Sequence, residues 1–171
     1  LVQTRGELMA AAGTQRPGTM AAVLGLDAEP LAALCREVST SSDLVVVAND
    51  NCPGQVVVSG DVDAVERLSA AAPGAGAKRV LPLKVSGAFH SPLMTEPAAK
   101  MGQTVQAAVW GEQHSPVYSN VTAKPIQESS AWPGLLEAQL LNPVRWRELI
   151  LAMVKDGVTH FVECGSGDVL T

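Results

Sequence analysis

The run from Asp43 to Asp61, DLVVVANDNCPGQVVVSGD, consists of two segments rich in β-branched residues with a short connection between them. Valine favours extended backbone, so DLVVVAND and GQVVVSGD are each typical of a β-strand. The connection, NCP at 51–53, is followed directly by Gly54, and Asn, Pro and Gly are residues that favour tight turns. The stretch therefore predicts a β-hairpin.

The sequence on either side of this hairpin has the pattern of two further strands and two helices. A strand is predicted at 19–26 and another at 78–85. Asp27 and Asp61 each precede a segment with apolar residues at helical spacing, which indicates two capped helices. The order from 19 to 85 is therefore β-α-β-β-α-β, the arrangement of a ferredoxin-like domain.

A different pattern follows residue 86. Helices are predicted at 92–109 and 144–157, the second opened by Asn142 and Pro143 as cap and first turn, and strands at 115–121 and 159–165. Alternating helix and strand favours a parallel α/β layer, so we expect an α/β fold class. Residues 1–12 are predicted to be a helix whose start is missing, and the sequence stops just after the strand predicted at 159–165, as expected of a piece of a longer protein.

Composition excludes several classes of protein. The 12 Lys and Arg against 17 Asp and Glu give a net charge of -5, which argues against nucleic acid as a partner. Three cysteines without C-x-x-C spacing predict neither disulfides nor a metal site, and they fit a reducing cytoplasmic location. No apolar run has the length of a membrane span and no signal peptide is recognised, so no membrane association is expected.

The stretch KVSGAFHSPLM, residues 84–94, places His90 where a predicted strand gives way to a helix. The carboxyl end of a strand is a common position for catalytic groups in open α/β sheets, and histidine is the usual general base near neutral pH. A capping or buried structural histidine is the alternative. No G-x-S-x-G nucleophile motif is present; CGSGD near the C-terminus comes closest, with the wrong spacing.

Arg5 lies on the helix predicted at residues 1–12. Arginine on a helix is usually a solvated surface residue. The functional alternative is a bidentate clamp on a carboxylate or a phosphate.

Six stretches, taken together, resemble one protein family. They are QTRGELM (3–9), ANDNCPGQVVVSGD (48–61), AKRVLPLKVSGAFHSPLM (77–94), VYSNVTAKP (117–125), QLLNPVRW (139–146) and FVECGSGDVLT (161–171). Their content and order resemble the C-terminal part of the malonyl-CoA:acyl-carrier-protein transacylases, which are similar to the acyltransferase domains of fatty-acid and polyketide synthases. The resemblance covers essentially the whole chain.

The resemblance implies a two-part architecture. Residues 1–16 and 86–171 would form part of a hydrolase-like acyltransferase subdomain, and residues 17–85 an inserted ferredoxin-like subdomain. The implied activity is transfer of malonyl from malonyl-CoA to the phosphopantetheine thiol of acyl carrier protein in fatty-acid biosynthesis, through a malonyl-serine intermediate. The implied partners are malonyl-CoA and acyl carrier protein, with no metal and no cofactor.

The resemblance also implies roles for individual residues. His90 would be the catalytic base, and the main-chain carbonyl of Gln139 would fix its tautomer. Arg5 would bind the malonyl carboxylate with both arms of its guanidinium. Phe89 would fill the space that an α-methyl branch needs. Met9 would line the same pocket, with ordinary core packing as the alternative.

Three further residues are implied to bind the thioester arm or the carrier. Asn51 and Gln55 would contact pantetheine, unless they only satisfy backbone groups of their turn. Arg79, beside Lys78, would meet CoA phosphates or the acidic carrier.

The nucleophilic serine of the family has no counterpart in these 171 residues, so we expect this chain alone to be inactive. Two alternatives remain open. One is an acyltransferase domain of a polyketide synthase, and the other is a non-catalytic fragment that binds carrier protein.

Overall fold

The structure, a computed structural model, describes residues 1–164 of the 171. Its α-helices are α1 (Val2–Gln15), α2 (Ala28–Val38), α3 (Val62–Ala71), α4 (Thr95–Gln106), α5 (Trp132–Gln139) and α6 (Trp146–Lys155). Its strands are β1 (Thr19–Leu24), β2 (Val45–Cys52), β3 (Gln55–Gly60), β4 (Arg79–Pro82), β5 (Val117–Tyr118) and β6 (Pro125–Ile126). The fold is a mixture of helices and antiparallel sheets, which is the α/β class in its coarse sense.

A four-stranded sheet occupies the first half of the chain, in the order β2-β3-β1-β4. All three strand pairs are antiparallel. The hairpin predicted from residues 43–61 is present, and Gly54 completes its turn with a φ of 71°. Glycine suits this position because other residues adopt a left-handed backbone at a cost.

Asp27 and Asp61 precede α2 and α3 as predicted, but neither carboxylate caps its own helix. Asp27 accepts a hydrogen bond from the Gly54 amide at 2.9 Å. Asp61 accepts one from the Leu44 amide at 2.9 Å and also faces Arg16. These carboxylates therefore tie the helix starts to the hairpin, one at its turn and the other at the residue before β2, since a carboxylate can accept from any amide in reach.

The main core lies between this sheet and helices α2 and α3. Leu31 of α2 and Leu68 of α3 are completely buried there against the β-branched residues of the strands. Burial of such side chains stabilises a fold by roughly 1.5–3 kcal/mol each. The alternation of apolar residues along the strands leaves a second set of side chains on the opposite face of the sheet, where Met20, Ala48 and Val57 form a smaller cluster.

A second core belongs to the helices outside the sheet. Met94, Met101 and Val105 are buried against Ala12 of α1 and Leu140 at the end of α5. Phe89 contacts this cluster and also the small cluster on the sheet. The segment around Phe89 and His90 therefore lies where the two parts of the molecule meet.

The start of α6 differs from the prediction. Asn142 and Pro143 do not open the helix, which begins at Trp146. The Val144 amide donates to Ala48 at 2.8 Å, and Val144 accepts from the Asp50 amide at 2.9 Å. A backbone held extended against β2 cannot at the same time enter a helix.

The parallel layer predicted after residue 86 is not found among the described residues. The strand predicted at 115–121 is reduced to β5, which pairs with β6 in antiparallel fashion. Residues 159–164 form no strand. An extended segment becomes a strand only when another strand takes up its backbone groups, and residues 1–164 provide none beside it. Most of the CGSGD stretch, from residue 165 onwards, lies outside the described residues.

No helix in the described range is long and apolar enough to cross a bilayer. Nor do those residues contain a group of three or more His, Cys, Asp or Glu side chains suited to a metal ion.

Candidate active site

His90 has a strained backbone at the entrance to a helix. Its φ of 58° lies in the left-handed region, which residues with a Cβ rarely adopt. The completely buried Ser91 holds the turn, because its hydroxyl donates to Ala88 O at 2.6 Å and accepts from the Leu93 amide at 3.3 Å. Strain that a surrounding network maintains is common at functional sites.

The imidazole of His90 is held by the last residue of α5. Nδ1 of His90 lies 2.9 Å from the main-chain oxygen of Gln139. A carbonyl oxygen can only accept, so this contact places a proton on Nδ1 and leaves Nε2 as the nitrogen that can take a proton. The ring therefore has the tautomer that a general base at Nε2 requires.

The side chain of Gln139 lies between Arg5 and His90. Nη2 of Arg5 donates to Oε1 of Gln139 at 2.9 Å, and Nε2 of Gln139 lies 3.2 Å from Nδ1 of His90. Arg5 and Gln139, which lie 134 positions apart in sequence, are thus in direct contact. The structure brings these three predicted site residues together.

The electrostatics of the group follow from its burial. Desolvation lowers the pKa of His90, the positive charge of Arg5 lowers it further, and hydrogen bonding to backbone at Gln139 and Asn142 opposes the shift. Desolvation also lowers the pKa of Arg5, which still carries its charge at neutral pH. The site thus combines a neutral imidazole with a partly desolvated cation, a pair suited to proton abstraction beside a bound anion.

Phe89 and Met9 lie next to this group in sequence. Phe89 is half-buried between the two apolar clusters described above. Met9 is half-buried one helical turn after Arg5, so both side chains project from the same face of α1. Both positions are compatible with a pocket wall and with ordinary packing.

Asn51, Gln55 and Arg79 lie elsewhere. Gln55 is exposed at the start of β3 and accepts a contact from Sγ of Cys52 at 3.4 Å. Arg79 is exposed at the first position of β4, opposite Leu24. Within residues 1–164, no hydrogen bond joins any of the three to the group formed by Arg5, His90 and Gln139.

A cleft of about 770 Å³ separates the tip of the hairpin from α6. Its walls are mostly apolar and include Trp146, Ile150 and Phe161, with Asn51 and Arg147 among the polar groups. Neither Arg5 nor His90 lines it, so the cleft is distinct from the histidine site.

Sequence reasoning missed two features. It gave Gln139 a role through its carbonyl alone, whereas the side chain accepts from Arg5 and lies against Nδ1 of His90. It also missed the ion pair between Arg147 and the buried Asp50, at 2.9 Å, that joins α6 to β2. No local signal reveals contacts between residues so distant in sequence, although a charged residue inside a β-branched run was an available hint.

Comparison with known proteins assigns this chain to a family. The family model described as an acyl transferase domain matches residues 1–170. A malonyl CoA-acyl carrier protein transacylase of Bacillus subtilis is 44% identical over 170 residues, which cover 99% of this chain and 54% of that protein. A protein of the same name from Staphylococcus aureus is 37% identical over 171 residues, or 56% of its length.

Comparison with solved structures finds proteins of the same kind. The malonyl-CoA:acyl carrier protein transacylase of Xanthomonas oryzae matches with a TM-score of 0.93 and 38% identity over 99% of this chain and 54% of its own. A malonyl-transacylase in complex with a type II polyketide synthase acyl carrier protein matches with a TM-score of 0.86 and 40% identity, over 92% of this chain and 50% of that one. The chain spans about half the length of these relatives. With its match along residues 1–170, the chain belongs to the acyl transferase domain family.

Proposed function

We propose that the protein containing this chain transfers a malonyl group from malonyl-CoA to the phosphopantetheine thiol of acyl carrier protein. A serine, which the family resemblance puts ahead of Arg5 and outside these 171 residues, attacks the thioester carbonyl. Nε2 of His90 takes the serine proton and returns it to the departing CoA sulfur. The carrier thiol then attacks the malonyl-serine ester, losing its proton to His90, and the serine is regenerated.

The observation that carries this proposal is the contact between Arg5, Gln139 and His90. A base with a fixed tautomer adjoins a cation that has no ion-pair partner among the described residues. That combination suits an acyl group that carries its own carboxylate. Arginine suits the task better than lysine, because two parallel N–H donors fix the orientation of the acyl group as well as its charge.

We also propose a division of the chain into two subdomains. Residues 17–85 are proposed to be the ferredoxin-like subdomain, and the order β2-β3-β1-β4 with α2 and α3 on one face supports this. Residues 1–16 and 86–171 are proposed to belong to the hydrolase-like subdomain. Phe89, at the meeting of the two parts, is proposed to exclude branched acyl groups, with Met9 beside it.

The carrier and the thioester arm are proposed to approach from the sheet side. Asn51 lines the cleft at the tip of the hairpin, and Gln55 is exposed beside it. Arg79 and Lys78 are exposed together, which suits an acidic partner. Since the structure leaves these residues apart from His90, they are assigned to binding and not to chemistry.

Intact-mass measurement on the full-length protein tests the reaction. Brief exposure to malonyl-CoA is expected to give a single malonyl adduct, which disappears when acyl carrier protein is added. His90→Ala is expected to abolish the adduct. A folded full-length protein that binds carrier but never acquires the adduct would overturn the enzymatic assignment and support the non-catalytic alternative.

A polyketide pathway is the second candidate. One similar structure is a transacylase in complex with a type II polyketide synthase acyl carrier protein, so members of this fold serve that pathway as well. Initial rates with purified carriers of each type distinguish the two. A clear preference for the fatty-acid carrier is expected under our assignment, and a preference for the polyketide carrier would reverse it.

A further inference from the structure

The side chain of Gln139 provides the acceptor that faces the guanidinium of Arg5. Its Oε1 accepts from Nη2 of Arg5 at 2.9 Å. In the described part of the chain, Arg5 has no carboxylate partner, although it is half-buried. A desolvated guanidinium without an acceptor is costly, and the amide oxygen of Gln139 supplies that acceptor.

The orientation of this amide follows from Arg5. A guanidinium can only donate, so the atom of Gln139 that faces it must be the oxygen. The amide nitrogen then points to Nδ1 of His90, at 3.2 Å. The alternative orientation would set two donors against each other at Arg5.

That orientation conflicts with the tautomer of His90. Nδ1 already donates to the main-chain oxygen of Gln139 at 2.9 Å. The amide N–H groups therefore face another N–H group and cannot form a hydrogen bond with it. The side chain satisfies Arg5 at the cost of an unfavourable contact with His90.

We propose that the Gln139 side chain is a placeholder for the substrate carboxylate, and that its displacement from Arg5 also relieves His90 of the opposing amide. The inference rests on the proposed function and gives Gln139 two separable roles. Its main chain positions His90, and its side chain competes with the acyl group for Arg5. Binding of the carboxylate and the basicity of His90 are thereby coupled.

The test compares two substitutions that both retain the main-chain carbonyl. Gln139→Met keeps the length of the side chain but cannot accept from Arg5. Gln139→Glu leaves a carboxylate on Arg5 permanently. The matched control is Gln103→Met, at an exposed position of α4 with no side-chain hydrogen bond among the described residues.

The first readout is binding of monomethyl malonate, a probe with a single carboxylate, to the full-length protein by NMR titration. Gln139→Met is expected to lower the dissociation constant about twofold to tenfold, because no internal acceptor competes for Arg5. Gln139→Glu is expected to raise it about tenfold or more, and the control is expected to leave it unchanged. Weaker binding in Gln139→Met would overturn the proposal, because the side chain would then only support Arg5.

The second readout is the titration of His90 in the same protein without probe. Arg5 is the charged group that acts on His90 within the described residues, and Gln139→Met leaves it in place. Removal of the opposing amide is expected to raise the pKa of His90. An unchanged pKa would overturn the coupling. Malonyl-enzyme formation by the unsubstituted protein is measured in parallel, and its absence would reject the proposed function without altering either readout.

Discussion

At the scale of single residues, the burial of His90 has a consequence for pH dependence. Desolvation is the largest cause that lowers its pKa, with Arg5 adding to the shift. A general base works in its neutral form, so activity is present above its pKa and is lost as the pH falls through it. We therefore predict that kcat/KM for malonyl-CoA stays level as the pH falls past about 6.5, the ordinary histidine value, and declines only below it.

The measurement is a pH profile of kcat/KM on the full-length protein. Arg5→Gln serves as the comparison, because removal of the cation is expected to move the acidic limb to higher pH. An inflection in the unsubstituted protein above the ordinary histidine value would contradict the prediction.

Phe89 allows a prediction on selectivity. Its ring touches both apolar clusters and is proposed to fill the space for an α-methyl branch. Phe89→Ala is predicted to reduce the preference for malonyl-CoA over methylmalonyl-CoA by about tenfold, since one methyl group is discriminated by roughly 1–3 kcal/mol. Competition between the two thioesters in one reaction gives the ratio directly.

The stability of that variant must be followed alongside. Truncation of a buried phenylalanine costs about 3–5 kcal/mol, and Phe89 is only half-buried, so a smaller loss is expected. Phe89→Leu, which keeps most of the packing, is the control and is expected to shift the preference less. An unchanged ratio in a folded Phe89→Ala protein would remove Phe89 from the acyl pocket.

At the scale of elements, α1 is pressed against the segment that leads to His90. A Cβ on Gly13 would lie 1.5 Å from the main-chain oxygen of Ser86, whereas a Cβ on Gly6 of the same helix would meet nothing within 4 Å. We predict that Gly13→Ala lowers the free energy of unfolding by about 1–3 kcal/mol, because the main chain at Ser86 or in α1 has to move. Gly6→Ala is predicted to raise the free energy of unfolding by up to about 1 kcal/mol, since alanine is the better helix former.

Chemical denaturation of the full-length protein measures both effects. Gly13→Ala is also expected to slow malonyl-enzyme formation, because the displaced segment carries Phe89 and His90 while α1 carries Arg5. Equal stabilities for the two variants would show that α1 does not approach the segment so closely.

Elements of the first half of the chain were predictable from the sequence because their signals are local. The β-branched runs and turn residues around Gly54 predicted the hairpin, and Asp27 and Asp61 predicted the starts of α2 and α3. What those aspartates bind was not predictable, since the Gly54 and Leu44 amides come from other segments. The start of α6 was misplaced for the same reason, because pairing of Val144 with β2 overrides the local capping signal.

The residues of the candidate site also differ in how far local sequence signals could predict them. His90 could be singled out from its position after a predicted strand, but only the family resemblance favoured a functional role for Arg5 over a solvated surface position. The link from Arg5 through the Gln139 side chain depends on two segments separated by most of the chain. Local sequence patterns carry no information on such a contact.

At the scale of the whole molecule, the sheet and the helical part are joined by non-covalent contacts in addition to the covalent chain. Two backbone hydrogen bonds connect β2 to Val144, and Arg147 pairs with Asp50. Asp50 is 7% exposed, and its Oδ1 has no partner among the described residues. Desolvation is the largest cause that raises the pKa of Asp50, and Arg147 opposes that shift.

We predict that Arg147→Met lowers the free energy of unfolding at neutral pH by up to about 3 kcal/mol, because it leaves a buried charge without its partner. The Arg147 side chain is 31% exposed, so the loss should be smaller than for a fully buried pair. Asp50→Asn in the same protein should restore most of the loss, since no uncompensated charge remains. A double-mutant cycle by chemical denaturation of the full-length protein gives the coupling between the two side chains.

The pH dependence of the single variant separates this origin from lost packing. Without Arg147, the pKa of Asp50 in the folded protein rises further above its unfolded value, so the folded state binds a proton more readily than the unfolded state. The destabilisation is then present at neutral pH and shrinks as the pH falls towards about 3.9, the ordinary value for aspartate. An equal loss in the free energy of unfolding at both pH values would assign the effect to packing of the Arg147 side chain at the cleft. The junction between the sheet and the helical part would then depend on the Val144 hydrogen bonds.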